Sequence, residues 1–126
     1  MSMLKVLVAD DSRTIRIQLT QILSKAGYEV VTASDGRQAV DQIISESPFL
    51  VILDINMPEL DGYGVCQAMN SMGDPWQQLP VIFLTTLRTH ALELLGRELG
   101  AYLQKPVNPA ELLEVVEVFA HEFIGG

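Results

Sequence analysis

The sequence predicts an α/β fold of five strands alternating with helices, a (βα)5 arrangement on an open, doubly wound, five-stranded parallel sheet. Two observations carry that expectation. Short aliphatic and β-branched runs recur along the chain: LKVLVA (4–9), YEVVTA (28–33), FLVIL (49–53), VIFLT (81–85) and AYLQ (101–104). They read as mostly unbroken apolar runs, as strands covered on both faces do. Between them the apolar residues switch to a helical period. Right-handed crossovers then place helices on both sides of the sheet, and ligand chemistry belongs at the carboxyl ends of the strands.

Each helix has its own signals. After the first strand, Ile15, Leu19, Ile22, Leu23 and Ala26 share a face and Gly27 supplies the stop, with Asp11 or Ser12 able to cap the start. Ala39, Val40, Ile43 and Ile44 repeat the pattern ahead of Pro48. A third helix starts near Asp61 and buries Val65, Ala68 and Met69, followed by the one longer polar connection, SMGDPWQQLP (71–80). A fourth pattern, Ala91, Leu95 and Leu99, ends at Gly100. The last helix has Asn108 as cap, Pro109 in first position and Glu111 three residues after the cap, ahead of Leu112, Val115, Val116, Phe119 and Phe123.

Composition narrows the function. A chain of 126 residues with 48% hydrophobic content suits one domain, residues 1–126, with its core within about 4–124. Eight basic against 16 acidic residues give a net charge of −8, which repels phosphate backbones and anionic lipid. No direct nucleic-acid or membrane contact is expected. The single cysteine, Cys66, has no internal disulfide partner. No apolar stretch reaches the ~18 residues of a membrane span. The N-terminus lacks the pattern of a signal peptide, so the expected location is cytoplasmic.

One stretch poses the chemical question. LVILDINMP (50–58) ends a strand apolar enough to be buried on a carboxylate, Asp54. The first strand ends on ADDS, which brings Asp10 and Asp11 beside Asp54 if the two strands are neighbours. Three acids that close raise one another's pKa and destabilise the fold unless a cation sits among them. Their hard oxygens favour Mg²⁺, with Mn²⁺ as a substitute, over zinc, for which the chain offers one Cys and two distant His. Thr85 and Thr86 end the fourth strand and Lys105 follows the fifth. Carboxylates, a cation site, a hydroxyl and an ammonium around one point are the parts for phosphoryl transfer to a carboxylate.

These residues resemble the response-regulator receiver domains of two-component signalling, close to the stand-alone chemotaxis-type regulators. VLVADDS (6–12), VILDINMPELDGYG (51–64), PVIFLTT (80–86) and KP (105–106) stand in that family's order and at nearly its spacings. The resemblance implies a flavodoxin-like sheet of strand order 2-1-3-4-5 and Asp54 as phosphoacceptor. It implies Mg²⁺ held by Asp11, Asp54 and the backbone carbonyl of Asn56, with Asp10 helping through water. Thr85 and Lys105 would contact the phosphoryl group, Tyr102 would move with Thr85 on activation, and Lys105–Pro106 would be cis. The implied partners are a sensor histidine kinase or phosphotransfer domain and an output protein or trimmed output domain. That output would be reached through the face of helix 4, strand 5 and helix 5, and the chain would be a monomer or weak dimer.

Two departures bear on that face: GAYLQKP (100–106) runs directly where the family usually has a slightly longer segment, and Val107 stands where Phe is common. Three rival readings fit less well. A haloacid-dehalogenase-type phosphatase also phosphorylates a strand-end Asp but needs a second Asp two residues on, where this chain has Asn56. A flavodoxin-like cofactor binder wants a Ser/Thr/Gly-rich phosphate loop where DDSRTIR stands. A receiver that only binds proteins has no need of the complete acidic set and Lys105. A receiver is consumed as substrate, so the chain is not expected to be an enzyme.

Overall fold

The computed structural model describes residues 3–86 and 101–125. Five strands, β1 (Lys5–Ala9), β2 (Glu29–Ala33), β3 (Leu50–Asp54), β4 (Val81–Thr85) and β5 (Ala101–Gln104), form one sheet in the order β2-β1-β3-β4-β5, every pair parallel. The expected topology is therefore present. The strands follow the predicted runs to within one residue at either end, and β3 takes in Asp54 itself.

Burial explains the ordering. All five residues of β3 are buried and only the first of β1 is not, whereas the outer strands β2 and β5 are mostly partly exposed. The most apolar runs thus occupy the centre, where both faces are covered. On one face Val6, Val8, Leu50, Ile52, Ile82 and Leu84 pack with Leu19 and Leu23 of α1 (Arg13–Lys25) and with Leu112 and Val116 of the C-terminal helix (Pro109–Gly125). On the other, Leu7, Val51, Leu53 and Phe83 meet Ala39 and Ile43 of α2 (Gly36–Glu46) and Val65 and Met69 of α3 (Gly62–Met72). Val107 fills a place in the first of these cores.

Helix starts follow the capping residues. Ser12, Asp35 and Asp61 cap α1, α2 and α3, and Asn108 Oδ1 accepts from the Glu111 N–H at 3.1 Å. Three predicted core residues lie elsewhere. Ala26 is the exposed cap residue beyond the last turn of α1. Ile44 is 49% exposed, because one helical step past Ile43 turns it about 100° off the buried stripe. Phe123 is 61% exposed, with its ring 5.6 Å from Phe49 at the amino edge of the sheet. Ala68, Val115 and Phe119 are partly buried. Within the predicted polar connection, Trp76–Gln78 form a 3₁₀ turn and Asp74–Pro75 is cis. The helical pattern of Ala91, Leu95 and Leu99 lies outside the described residues.

The topology creates a crevice. From β1 the chain moves outward to β2, then crosses to β3 on the other side, so the connections leaving the carboxyl ends of β1 and β3 diverge.

Candidate functional site

Four segments converge at that crevice. Asp10 follows β1, Asp54 is the last residue of β3, Thr85 closes β4, and Lys105 follows β5. Backbone hydrogen bonds continue past the strands: Asp10 N–H donates to Ala33 O at 3.1 Å, Ile55 N–H to Leu84 O at 3.1 Å and Lys105 N–H to Thr85 O at 2.8 Å. The side chains therefore project from a fixed main chain. Among the described residues the only buried polar or charged side chains are Asp10, Asp54 and Thr85, all at this edge. Burial of charge opposes folding, so its confinement to one place marks a site rather than a structural need.

Lys105 answers part of the charge, with Nζ 2.8 Å from Asp10 Oδ2 and 3.4 Å from Asp54 Oδ2. Burial works against the ammonium, but the two carboxylates prevail and raise its pKa. Asp10 Oδ1 accepts from the Ser12 N–H at 2.8 Å. The fully buried Oδ2 is answered among the described residues by the Lys105 ammonium alone. Burial pushes the Asp54 carboxyl up to about 6, and the charge of Asp10 adds to the rise. Lys105 and the Asn56 N–H, 3.3 Å from Asp54 Oδ1, pull the other way.

Asp10, Asp11 and Asp54 each offer an oxygen within 4.8 Å of the others. Asp11 is exposed, so the cluster opens to solvent on its side. Three carboxylates gathered around a single ammonium, one of them open to solvent, fit a hard divalent cation that keeps some of its waters. The loop after β3 is shaped by close approaches. A Cβ at Gly62 would lie 2.8 Å from Asp54 O, and the Gly62 N–H donates to Ile55 O at 3.0 Å. Gly36, opening α2, seats directly on the Leu60 backbone and leaves no room for a side chain.

Of the sequence-predicted residues, Asp10, Asp11, Asp54 and Lys105 come together. Asn56 is exposed and meets Asp54 through its main-chain N–H. Thr85 is buried, one residue beyond Leu84, the register partner of Asp54, whereas Thr86 is exposed. Tyr102 is partly buried and in register with Phe83, and strand alternation puts Thr85 on the same sheet face as that pair. Lys105–Pro106 is cis, as expected. Ser12 rather than Asp11 caps α1, its Oγ accepting from the Ile15 N–H at 3.4 Å. Sequence reasoning missed Arg16, whose Nη1 donates to the backbone carbonyl of Asp10 at 2.8 Å. It also missed Gly36. Each left a signal: two arginines opening a helix without an acid in its first turn, and a glycine straight after a cap.

Comparison with known proteins agrees with this picture. Residues 6–117 match the family described as the response regulator receiver domain. The probable transcriptional regulator ycf27 of Cyanophora paradoxa is 49% identical over 110 residues, 86% of this chain and 44% of that protein. The response regulator MprA of Mycolicibacterium vanbaalenii is 43% identical over 111 residues, 86% of this chain and 47% of that protein. The chain thus spans less than half the length of these curated relatives. The solved chemotaxis protein CheY4 of Vibrio cholerae superposes with a TM-score of 0.83 at 35% identity, covering 94% of this chain and 99% of that one.

Proposed function

Because the chain belongs to the response regulator receiver domain family of two-component signalling, we propose that it is a phosphorylation-driven switch whose acceptor is Asp54. The observation that carries this reading is the confinement of buried polar side chains to the edge where Asp54, Asp10 and Thr85 lie. Asp54 attacks phosphorus with a carboxylate oxygen. The P–O bond forms as the P–N bond of a phosphohistidine breaks, and the electron pair leaves on the imidazole nitrogen. The donor is a sensor histidine kinase or a phosphotransfer domain.

The chain's own groups divide the remaining work. Asp11, Asp54 and the carbonyl of Asn56 would hold Mg²⁺, or Mn²⁺ in its place, with Asp10 helping through water, and the cation would supply positive charge to offset that of the phosphoryl oxygens. Lys105, already between Asp10 and Asp54, pairs its ammonium with one of those oxygens, and the Thr85 hydroxyl donates a hydrogen bond to another. Thr85 drawn inward leaves space for Tyr102, and that movement alters the face around β5 and the C-terminal helix.

Residues 1–126 act as one receiver unit in the cytoplasm, consumed as substrate rather than turning over as an enzyme. No helix among the described residues is long and apolar enough to cross a membrane. The output is a separate protein or an attached domain. The net charge of −8 argues against nucleic-acid contact by this portion itself. Intact mass after incubation with acetyl phosphate and Mg²⁺ tests the reading. Gain of one phosphoryl group, lost in Asp54→Asn, is expected; uptake undiminished in that variant would place the acceptor elsewhere.

A further inference from the structure

We infer that Arg16 is a positioning residue for the cation site, acting through the main chain of Asp10; the inference rests on the reading of the acidic cluster as a Mg²⁺ site. Arg16 Nη1 donates to Asp10 O at 2.8 Å. That carbonyl belongs to the peptide unit joining Asp10 to Asp11, the two acids that β1 delivers to the crevice. Asp10 is also held from inside, because its Oδ1 accepts from the Ser12 N–H at 2.8 Å. Asp11 has no such hold. Among the described residues nothing binds its exposed carboxylate, so its direction is inherited from the backbone that Arg16 pins.

The placement of Arg16 argues for this purpose independently. The amino end of a helix carries partial positive charge and prefers acids, yet α1 has none in its first turn and carries Arg13 and Arg16 there instead. The cost has a return if the guanidinium serves as a stiff, charge-assisted donor to a carbonyl outside the helix. Arg16 is partly buried, which limits its freedom to swing into solvent.

The sign of one measurement separates positioning from electrostatics. Deleting a cation beside a cation site tightens Mg²⁺ binding if charge is all that changes. Loss of positioning weakens it. Arg16→Met keeps the apolar stem while removing donor and charge, and Arg16→Gln is a second variant that stays polar at the helix surface. Calorimetric titration of the full chain with MgCl₂ is expected to give Mg²⁺ binding about tenfold weaker in both, the low end for groups that orient metal ligands. Melts in EDTA report any loss of helix stability separately. Mg²⁺ affinity unchanged or tightened in a folded variant, whatever its melting temperature, overturns the inference. Wild-type protein that fails to bind Mg²⁺ overturns instead the metal reading on which it stands.

Discussion

Lys5 and Lys105 each bridge two carboxylates, at opposite edges of the same sheet. At the amino edge Lys5 Nζ lies 3.4 Å from Glu29 and 3.5 Å from Glu46, and both glutamates are about as open as surface residues. At the carboxyl edge Lys105 makes comparable contacts, but with Asp10 and Asp54, which are almost wholly removed from water. Both lysines have a raised pKa, for in each case the carboxylates outweigh the burial that opposes the charge. Context gives the same motif two meanings. Solvent screens the Lys5 set. The Lys105 set has two acids for one ammonium in a dry place, with Asp11 at its mouth. Such a cluster is poised to take a further cation.

The largest expected effect separates the edges outright. Asp54→Asn should abolish phosphoryl uptake, raise the metal-free melting temperature and shrink the response to Mg²⁺, which for wild type at about 100 times Kd is worth about 2.7 kcal/mol. Glu46→Gln, at the other edge, should alter none of these. Thermal melts in EDTA and in excess Mg²⁺, with intact mass, decide the matter. A destabilised Asp54→Asn that keeps the full Mg²⁺ response would make Asp54 a structural residue and erase the contrast.

Next in size is the loss of each lysine. Lys105→Met leaves two buried carboxylates facing each other and should cost on the order of 3 kcal/mol in metal-free protein at neutral pH. Lys5→Met should leave the denaturation midpoint nearly unchanged. Urea titrations of the pair measure the difference directly, and equal losses would mean that burial does not distinguish the two sets.

A smaller effect follows from pH. The carboxyl of Asp54 is raised in the folded state from 3.8 to about 6, so its protonated form favours the fold. That contribution is complete below the unfolded value and is lost as pH rises through the folded one. Without metal, Asp54→Asn should come level with wild type in melting temperature only at about pH 3, below the unfolded value, and exceed it increasingly up to about pH 7.5. A difference independent of pH would refute the raised pKa.

The two edges were unequally legible in the sequence. The strands and the acids that end them were readable, because buried parallel strands announce themselves as apolar runs and a charge that ends one is conspicuous, whereas the strand order came only with the family resemblance. The amino edge was misread at Phe123, since helical periodicity says which face a residue shares but not where the sheet beneath it stops. Ile44 failed for a related reason: α2 buries a narrow stripe, and adjacency to Ile43 suggested a wider one. At the carboxyl edge the pairing of Lys105 with Asp10 at 2.8 Å, closer than with Asp54, depends on how a turn is aimed. The Arg16 hydrogen bond to a carbonyl six residues earlier depends on a side chain reaching back past its own helix cap, so the two arginines opening α1 signal something unusual without naming the acceptor.

The smallest expected effect asks whether the carboxyl edge reports to the rest of the sheet. Both threonines ending this segment carry a hydroxyl, but Thr85 is buried and Thr86 exposed. Strand alternation sets Thr85 on the face of the Phe83–Tyr102 pair. A hydroxyl drawn toward a phosphoryl group from that position vacates space beside Tyr102, whereas one reaching in from Thr86 vacates only solvent. Thr85→Ala should therefore still accept the phosphoryl group yet lose most of the amide NMR shift that beryllofluoride induces around Tyr102. Thr86→Ala should keep that shift. In both proteins the amides of Tyr28 and Phe49 should stay in place, because they lie at the opposite ends of the strands from Thr85. Shifts of wild-type size around Tyr102 in Thr85→Ala, or their loss in Thr86→Ala, would move the coupling to the exposed hydroxyl. Shifts reaching Phe49 would show that the two edges are not independent.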